Sequence, residues 1–278
     1  MSRSMAEFAK NEAPSALCGI LLHPAGHTRS PAMHNAAFRA LGIEARYKAF
    51  DIHPEALPEA MEQARSLGFR QLAISIPHKE AVMALLDEVD ETARQIGAVN
   101  TVTRVDDKLV GTNTDWAGAV HALERMTELA GRRVVILGAG GTAKALCYGL
   151  LRAGSEVTVL NRTEERAIEL VQSLGAKNSG SLSSLSSLPA DIIVNTTSVG
   201  LQGDTSPVPD YRFTSNQIVM DAIYGSKDSR FLRDAQARGA KTLQGKWMLI
   251  YQALEQLKIW TVQEAPVDVM EEAFDSVK

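Results

Sequence analysis

The sequence predicts an α/β protein of two domains, the second built on a doubly wound parallel sheet. Three observations predict it. The chain has 278 residues, long for one compact core and ordinary for two. From residue 17 onward, short apolar runs alternate with amphipathic stretches, the pattern of strands joined by crossover helices. One glycine turn, Gly138-Ala139-Gly140-Gly141, directly follows a β-branched run and opens a helix, as a dinucleotide-binding α/β unit requires.

The elements follow in order. The N-terminal MSRSMAEFAKNEAPSA lacks the apolar core of a secretory signal and reads as a polar, mobile leader. Leu17–Leu22 is a strand, and Ser30-Pro31 opens a helix, with the serine placed to cap and the proline in the first turn. Ala45–Ile52 is a strand and Glu55–Ser66 a helix. Gln71–Ile76 is a third strand, and Pro77-His78-Lys79 leads into a helix over Glu80–Leu86. A helix near Glu88–Ile96 precedes a hairpin, Thr101–Val105 and Leu109–Gly111, joined by Asp106-Asp107. A second unit starts near Arg132. There Arg133–Leu137 is a strand, Thr142–Ala153 a helix, Glu156–Leu160 a strand and Glu164–Leu174 a helix. Strands at Asp191–Asn195 and Ile218–Ile223 continue the series. In SLSSLSSLPA, Leu182, Leu185 and Leu188 are spaced for one face of a short helical turn. Lys246–Thr261 and Val267–Val277 are helices.

Composition narrows the function. Hydrophobic content is 45% and charged content 22%, as in globular proteins. The net charge of −4, of mixed sign along the chain, lacks the basic excess that nucleic-acid binding needs. No run approaches the length of a membrane-spanning helix. Cys18 and Cys147 are far apart in apolar surroundings and read as buried thiols, not a disulfide or metal pair. A cytoplasmic location is the expectation. The six histidines are scattered, and no H-x-x-x-H or C-x-x-C ligand set occurs, so no metal is expected.

The glycine turn carries the first chemistry. Gly138-x-Gly140-x-x-Ala143 is the glycine/alanine form of the dinucleotide fingerprint,. Missing side chains let the backbone approach a pyrophosphate, and the helix behind it points N–H groups and its positive end at the anion. The end of the next strand selects the cofactor. An acid there accepts from the ribose 2′-hydroxyl of NAD. This chain has Asn161-Arg162-Thr163, with Arg166 one turn on. Two guanidiniums and two neutral polar groups suit the 2′-phosphate of NADP.

Lys79 and Asp115, taken alone, read as surface charges, and spacing cannot show that they meet. Their settings say more. His27-Thr28-Arg29-Ser30-Pro31, Ser75-Ile76-Pro77-His78-Lys79, Gly97-Ala98-Val99-Asn100-Thr101 and Asn113-Thr114-Asp115 occur in that order. Gly138–Ala143, Asn161-Arg162-Thr163 and Gly245 with Met248-Leu249 and Gln252 follow. These seven motifs, spread from Gly19 to about Ala273, resemble those of the shikimate dehydrogenase family. The resemblance implies an α/β substrate domain and a Rossmann NADP-binding domain: residues 1–115 with 245–278, and residues 116–244. It implies NADP-dependent reversible reduction of 3-dehydroshikimate to shikimate. Lys79 would be the acid/base group at the substrate 3-oxygen, with Asp115 hydrogen-bonded to that oxygen and holding Lys79. Thr28 and Ser30 would bind the substrate carboxylate; Ser75, Asn100 and Gln252 would bind ring hydroxyls. Gly138, Ala139, Gly140, Gly141, Thr142, Ala143, Asn161, Arg162, Thr163, Arg166 and Gly245 would serve the cofactor.

Tyr224 matches a family tyrosine near nicotinamide and substrate, and reads equally as an aromatic closing a strand end. His78 is read as lining, and Trp116 as packing at the cleft. The chain also departs from the family pattern. Thr28 replaces the commoner serine, Ser75 threonine, Ala73 asparagine and Lys144 arginine, and Ser229-Arg230 replaces Thr-Pro. Quinate or aminoshikimate-type dehydrogenation on the same scaffold is therefore one alternative. A non-enzymatic NADPH- or ligand-binding regulator is another. The implied partner is a cyclic polyol carboxylic acid, bound by a monomer or homodimer.

Overall fold

The computed structural model describes residues 5–12, 16–26, 28–225 and 227–277. Two compact units are present, Met1–Thr114 with Ala253–Lys278, and Asp115–Gln252.

The first unit opens with α1 (Met5–Glu12), then β1 (Ala16–Leu22), α2 (Ser30–Ala40), β2 (Ala45–Asp51), α3 (Leu57–Ser66) and β3 (Gln71–Ile74). It continues with β4 (Glu88–Val89), α4 (Glu91–Ile96), β5 (Thr101–Val105) and β6 (Lys108–Thr112). The sheet order is β2-β1-β3-β5-β6-β4. β1 runs parallel to β2 and β3, and β5 runs antiparallel to both β3 and β6. This reversal brings the start of β5 to the edge where β3 ends, with Ala73 opposite Thr101.

Three sequence expectations fail in this unit, each for a local reason. The leader contains α1, which buries Met5 and Phe8 in the core. Met5, Phe8 and Ala9 share a helical face amid polar neighbours,. Phe8 meets Phe50 edge-on at 5.6 Å, and the Lys48 ammonium lies 5.6 Å from its ring centre. Residues 1–4 and 13–15 of the leader lie outside the described residues. The expected helix over Glu80–Leu86 is a 3₁₀ turn, Ala81–Leu85, with only Val82 buried; so few apolar anchors do not sustain an α-helix. Glu88–Val89 is a strand paired with β6, not a helix start. The helix begins at Glu91 because the Asp90 carboxylate accepts from Ala93 N–H at 2.6 Å and caps it there,.

The second unit contains α5 (Asp115–Glu124), β7 (Arg133–Leu137), α6 (Gly141–Arg152), β8 (Glu156–Asn161), α7 (Glu164–Leu174) and β9 (Asn178–Ser181). β10 (Ile192–Asn195), β11 (Ile218–Asp221), α8 (Arg230–Gln236), β12 (Lys241–Gln244) and the first turns of α9 (Gly245–Thr261) follow. α10 (Val267–Ser276) belongs to the first unit. All six strands are parallel, in the order β12-β11-β10-β7-β8-β9. Read from the other edge this is the doubly wound order of a dinucleotide-binding sheet, with its switch point between β7 and β10. Two apolar clusters cover the sheet. One is built with α5, α6, α7 and Met248 of α9; the other with α8 and Leu185.

SLSSLSSLPA folds as a 3₁₀ turn over Leu182–Ser187 with Leu185 buried; leucines three apart fit three residues per turn. β9, β12 and α8 are additions to the sequence reading. The two strands, Asn-Ser-Gly-Ser and Lys-Thr-Leu-Gln, have little apolar signal to read. The division between units falls inside α9, after Gln252, and not at its start. The early turns of α9 pack on α5 so closely that a Cβ on Gly118 would stand 2.7 Å from Gln252 Cβ and 2.8 Å from the Met248 carbonyl oxygen. Cys18 and Cys147 are free and buried. Burial pushes both thiols up to about 12, so neither is a nucleophile at neutral pH.

Candidate active site

The glycine turn leaves the C-terminal end of β7 at the switch point of the second sheet. Gly138 has φ +116°, and a Cβ there would meet Thr196 Oγ1 at 2.7 Å, so both conformation and space require glycine. Gly140 differs: a Cβ would meet nothing within 4 Å. It holds the N-cap position of α6 without a capping side chain, so the first-turn N–H groups face an open approach. Gly141 and Thr142 are half-buried, and Ala143 is buried in the core behind the turn. Ala139 packs partly buried against the same core. A pyrophosphate fits this cradle by shape and by sign of charge.

β8 ends at Asn161, whose Nδ2 donates to the Thr163 carbonyl at 2.8 Å. Thr163 holds the N-cap position of α7, but its hydroxyl makes no capping bond. Arg162, Thr163 and Arg166 are exposed. Gly245 begins α9 with no room for a side chain: a Cβ would stand 2.5 Å from the Ala222 carbonyl oxygen. Tyr224, half-buried, follows two residues later in that segment.

In the first unit, Ser75, Lys79 and Asn100 lie in backbone-bonded segments where β3 ends and β5 begins, and Thr28 and Ser30 lie at the start of α2. Leu21 and Asn100 carbonyls accept from Ser75 N–H and Ile74 N–H, at 2.9 and 2.7 Å. The Lys79 carbonyl accepts from Val99 N–H at 2.8 Å, which ties the lysine's backbone to the Gly97–Thr101 segment. Lys79 is half-buried. The Asn100 side chain is 2% exposed. Its Oδ1 accepts from Thr114 N–H and Thr101 Oγ1, both at 2.8 Å, and its Nδ2 donates to Thr114 Oγ1 at 3.0 Å. Gln256 Nε2 backs this group by donating to Thr101 Oγ1 and the Asn100 carbonyl.

Ser30 does not cap α2, as the sequence reading expected. Arg29 takes the N-cap position with helical dihedrals, which draws Ser30 into the first turn, where it is buried. Thr28 Oγ1 accepts from Ser30 N–H at 3.3 Å instead. Arg29 is itself buried, its guanidinium 5.5 Å from the centre of the Phe274 ring of α10. His27 lies outside the described residues. His78 is buried with Nε2 donating to the Ile52 carbonyl at 2.8 Å. Burial lowers its pKa.

Asp115 and Gln252 belong to the second unit. Asp115 opens α5 and is 4% exposed. Gln252 is buried and its Nε2 donates to the Leu249 carbonyl at 2.9 Å. Trp116 packs edge-on against Tyr148 of α6, ring centres 5.8 Å apart.

Sequence reasoning missed a polar pair at the strand ends. Asn195 closes β10 and Asp221 closes β11, both fully buried. Asp221 accepts from Asn195 Nδ2 at 3.0 Å, Ile223 N–H at 3.0 Å and Ser229 Oγ at 2.5 Å. Burial pushes its carboxyl up to about 6, against the pull of those three donors,. The signal was present: each residue is a single polar group ending an otherwise apolar run.

Among the described residues, no helix is long and apolar enough to cross a membrane. Nor does any group of three or more His, Cys, Asp or Glu side chains there fit a metal ion.

Comparison with known proteins matches three family models in order along the chain. Residues 20–102 match the shikimate dehydrogenase substrate binding domain, and 120–201 the shikimate/quinate 5-dehydrogenase domain. Residues 245–273 match the shikimate 5'-dehydrogenase C-terminal domain. The shikimate dehydrogenase (NADP(+)) of Thermococcus kodakarensis is 44% identical over 256 residues, covering 90% of this chain and 92% of that one. The crystal structure of shikimate dehydrogenase from Aquifex aeolicus superposes with a TM-score of 0.88 at 37% identity, covering 94% of this chain and 98% of that one. The Thermus thermophilus shikimate 5-dehydrogenase, solved with NADP(H) and shikimate, gives 0.86 at 39%, covering 93% and 98%. The chain belongs to the shikimate dehydrogenase family.

Proposed function

We propose that this protein catalyses the NADP-dependent, reversible reduction of 3-dehydroshikimate to shikimate. The carrying observation is 44% identity, over nine-tenths of the chain, to an enzyme named for that substrate and cofactor. The glycine turn and the two arginines past β8 support the cofactor. Gly138–Ala143 receive the pyrophosphate, Asn161, Arg162, Thr163 and Arg166 the 2′-phosphate, and the close approach at Gly245 shapes the neighbouring backbone. NADPH, when bound, supplies the hydride.

The chain's own groups supply binding and the proton. Thr28 and Ser30 hold the substrate carboxylate; Ser75, Asn100 and Gln252 hold ring hydroxyls, and Tyr224 borders the reacting end. As the 3-oxygen gains negative charge, the Lys79 ammonium donates a proton to it, and Asp115 hydrogen-bonds the hydroxyl that forms. The same reading makes the protein a cytoplasmic, small-molecule enzyme of one or two copies, in which residues 1–115 with 245–278 serve the substrate and residues 116–244 the cofactor.

Turnover of purified protein with NADP⁺ and shikimate tests the assignment; cofactor binding without turnover would sink it. Specificity constants for shikimate and quinate test the substrate, with shikimate expected to be the better one. Lys79→Ala is expected to lower turnover about 10²–10⁴-fold, as loss of a general acid does, while NADPH affinity stays nearly unchanged. Turnover within a few-fold of wild type would remove Lys79 from the chemistry.

A further inference from the structure

The buried pair Asn195–Asp221 has no part in the chemistry above, yet it joins the loop beside the glycine turn to the residues that follow β11. Asn195 Oδ1 accepts from Thr197 N–H at 3.0 Å and from Thr197 Oγ1 at 2.7 Å, and its Nδ2 also donates to the Val199 carbonyl at 3.3 Å. These bonds shape residues 196–200. Thr196, the first of them, donates through N–H and Oγ1 to the Leu137 carbonyl, at 2.9 and 2.8 Å. It is also the residue against which Gly138 packs. On the other strand, Asp221 grips Ile223 N–H and Ser229 Oγ, the two ends of the segment carrying Tyr224. Ser229 in turn caps α8, accepting from Leu232 N–H at 3.3 Å.

A fully buried carboxylate costs stability unless several donors meet it. An asparagine or an apolar residue would pack here at lower cost. A carboxylate accepts at up to four lone-pair sites, an amide oxygen at two. Here three donors arrive, one from β10 and two from the ends of the segment after β11, which is a use for the extra sites.

We propose that Asp221 is a positioning residue: through Asn195 it fixes loop 196–200, which borders the glycine turn, through Ile223 and Ser229 it holds the residues after β11 that pack on Gly200 of that loop, and it thereby sets the affinity for the dinucleotide. The inference rests on the NADP reading of that turn.

The test is steady-state kinetics of Asp221→Ala, Asp221→Asn and Ser229→Ala, with NADPH binding followed by fluorescence titration. Asp221→Ala is expected to raise KM for NADP⁺ about tenfold and leave KM for shikimate within about twofold. Ser229→Ala, losing one tether, is expected to raise it about threefold. Asp221→Asn, which still accepts from Asn195 and Ile223, is expected to lose less than the alanine variant. A merely structural role would lower kcat through a smaller active fraction and move neither KM. That result, or equal rises in both KM values, would overturn the inference. If Asp221→Ala does not fold, an unchanged KM for NADP⁺ in Ser229→Ala overturns it as well. The wild-type titration separates the two levels. Wild-type protein that binds no NADPH overturns the cofactor reading together with this inference. Wild-type protein and Asp221→Ala binding NADPH equally well overturns this inference alone.

Discussion

Asp221 is a residue whose ionisation couples to stability. Its carboxyl titrates at about 6 in the folded chain, against an ordinary value of 3.8, because burial outweighs the donors of Ser229, Ile223 and Asn195. The folded state therefore binds the proton more tightly than the unfolded chain does. The stabilisation is fully present below the unfolded value and is lost as pH rises through about 6. A shift of this size corresponds to about 2–3 kcal/mol at most. Asp221→Asn carries a side chain that does not titrate. Urea unfolding of both proteins at pH 4.5 and 7.5 is the measurement. The stability of the variant relative to wild type is expected to rise between the two pH values, and parallel behaviour would contradict the shift. The remaining titrating groups are shared, so the comparison cancels them. The sequence marked this carboxyl as a polar group ending an apolar run but not its shift, because the shift comes from burial in the folded chain, opposed by donors 26 residues back and 8 residues on. Lys79 and Asp115 became candidates for a different reason: each sits inside a short motif, and the motif, not the charge, carries the information.

At the scale of the element, the turn between β7 and α6 separates two kinds of glycine. Gly138 is needed by its positive φ and its contact with Thr196; Gly140 is extended, at φ −93° and ψ −174°, with open space where a side chain would project. Gly140→Asp is therefore expected to fold. Aspartate at an N-cap accepts from first-turn N–H groups and matches or exceeds glycine there by a few tenths of a kcal/mol. It also puts a negative charge where the pyrophosphate is proposed to bind, and NADPH affinity is expected to fall about 100-fold or more, since like charges in such a site cost several kcal/mol. Thermal unfolding and NADPH titration check both halves; retained affinity would mean that the phosphates do not bind at this turn. Strand, turn and helix were all legible here because the apolar run of β7, the glycines and the helix lie consecutively in the chain. β9 and β12 were not legible. Their pairing comes from the neighbouring strands β8 and β11, and edge strands need no apolar pattern of their own. The short 3₁₀ turns were misread as helices, or not read at all, because apolar spacing over so few residues does not separate one helix type from the other.

For the whole molecule, the two-unit organisation was legible in the alternation of strands and helices, while its boundary inside α9 was not. A helix that continues without a break offers no local mark of where its packing partners change. The leader was misread for a related reason, since a single turn of apolar residues, Met5, Phe8 and Ala9, gains a role only from the aromatic side chains of β2 and the residues before β3 that receive it. Phe8 is 7% exposed and packs on Phe50 and Phe69. Its cluster includes no residue of the second unit, whose core is formed by other clusters. Mutations that share no partners add independently. Phe8→Ala is therefore expected to destabilise the first unit by about 3 kcal/mol, the low end for a buried aromatic, and to leave the NADPH dissociation constant within about twofold. Unfolding monitored by calorimetry gives the first quantity and fluorescence titration the second. Cofactor affinity falling in step with stability would mean that the two cores do not act as separate cooperative units.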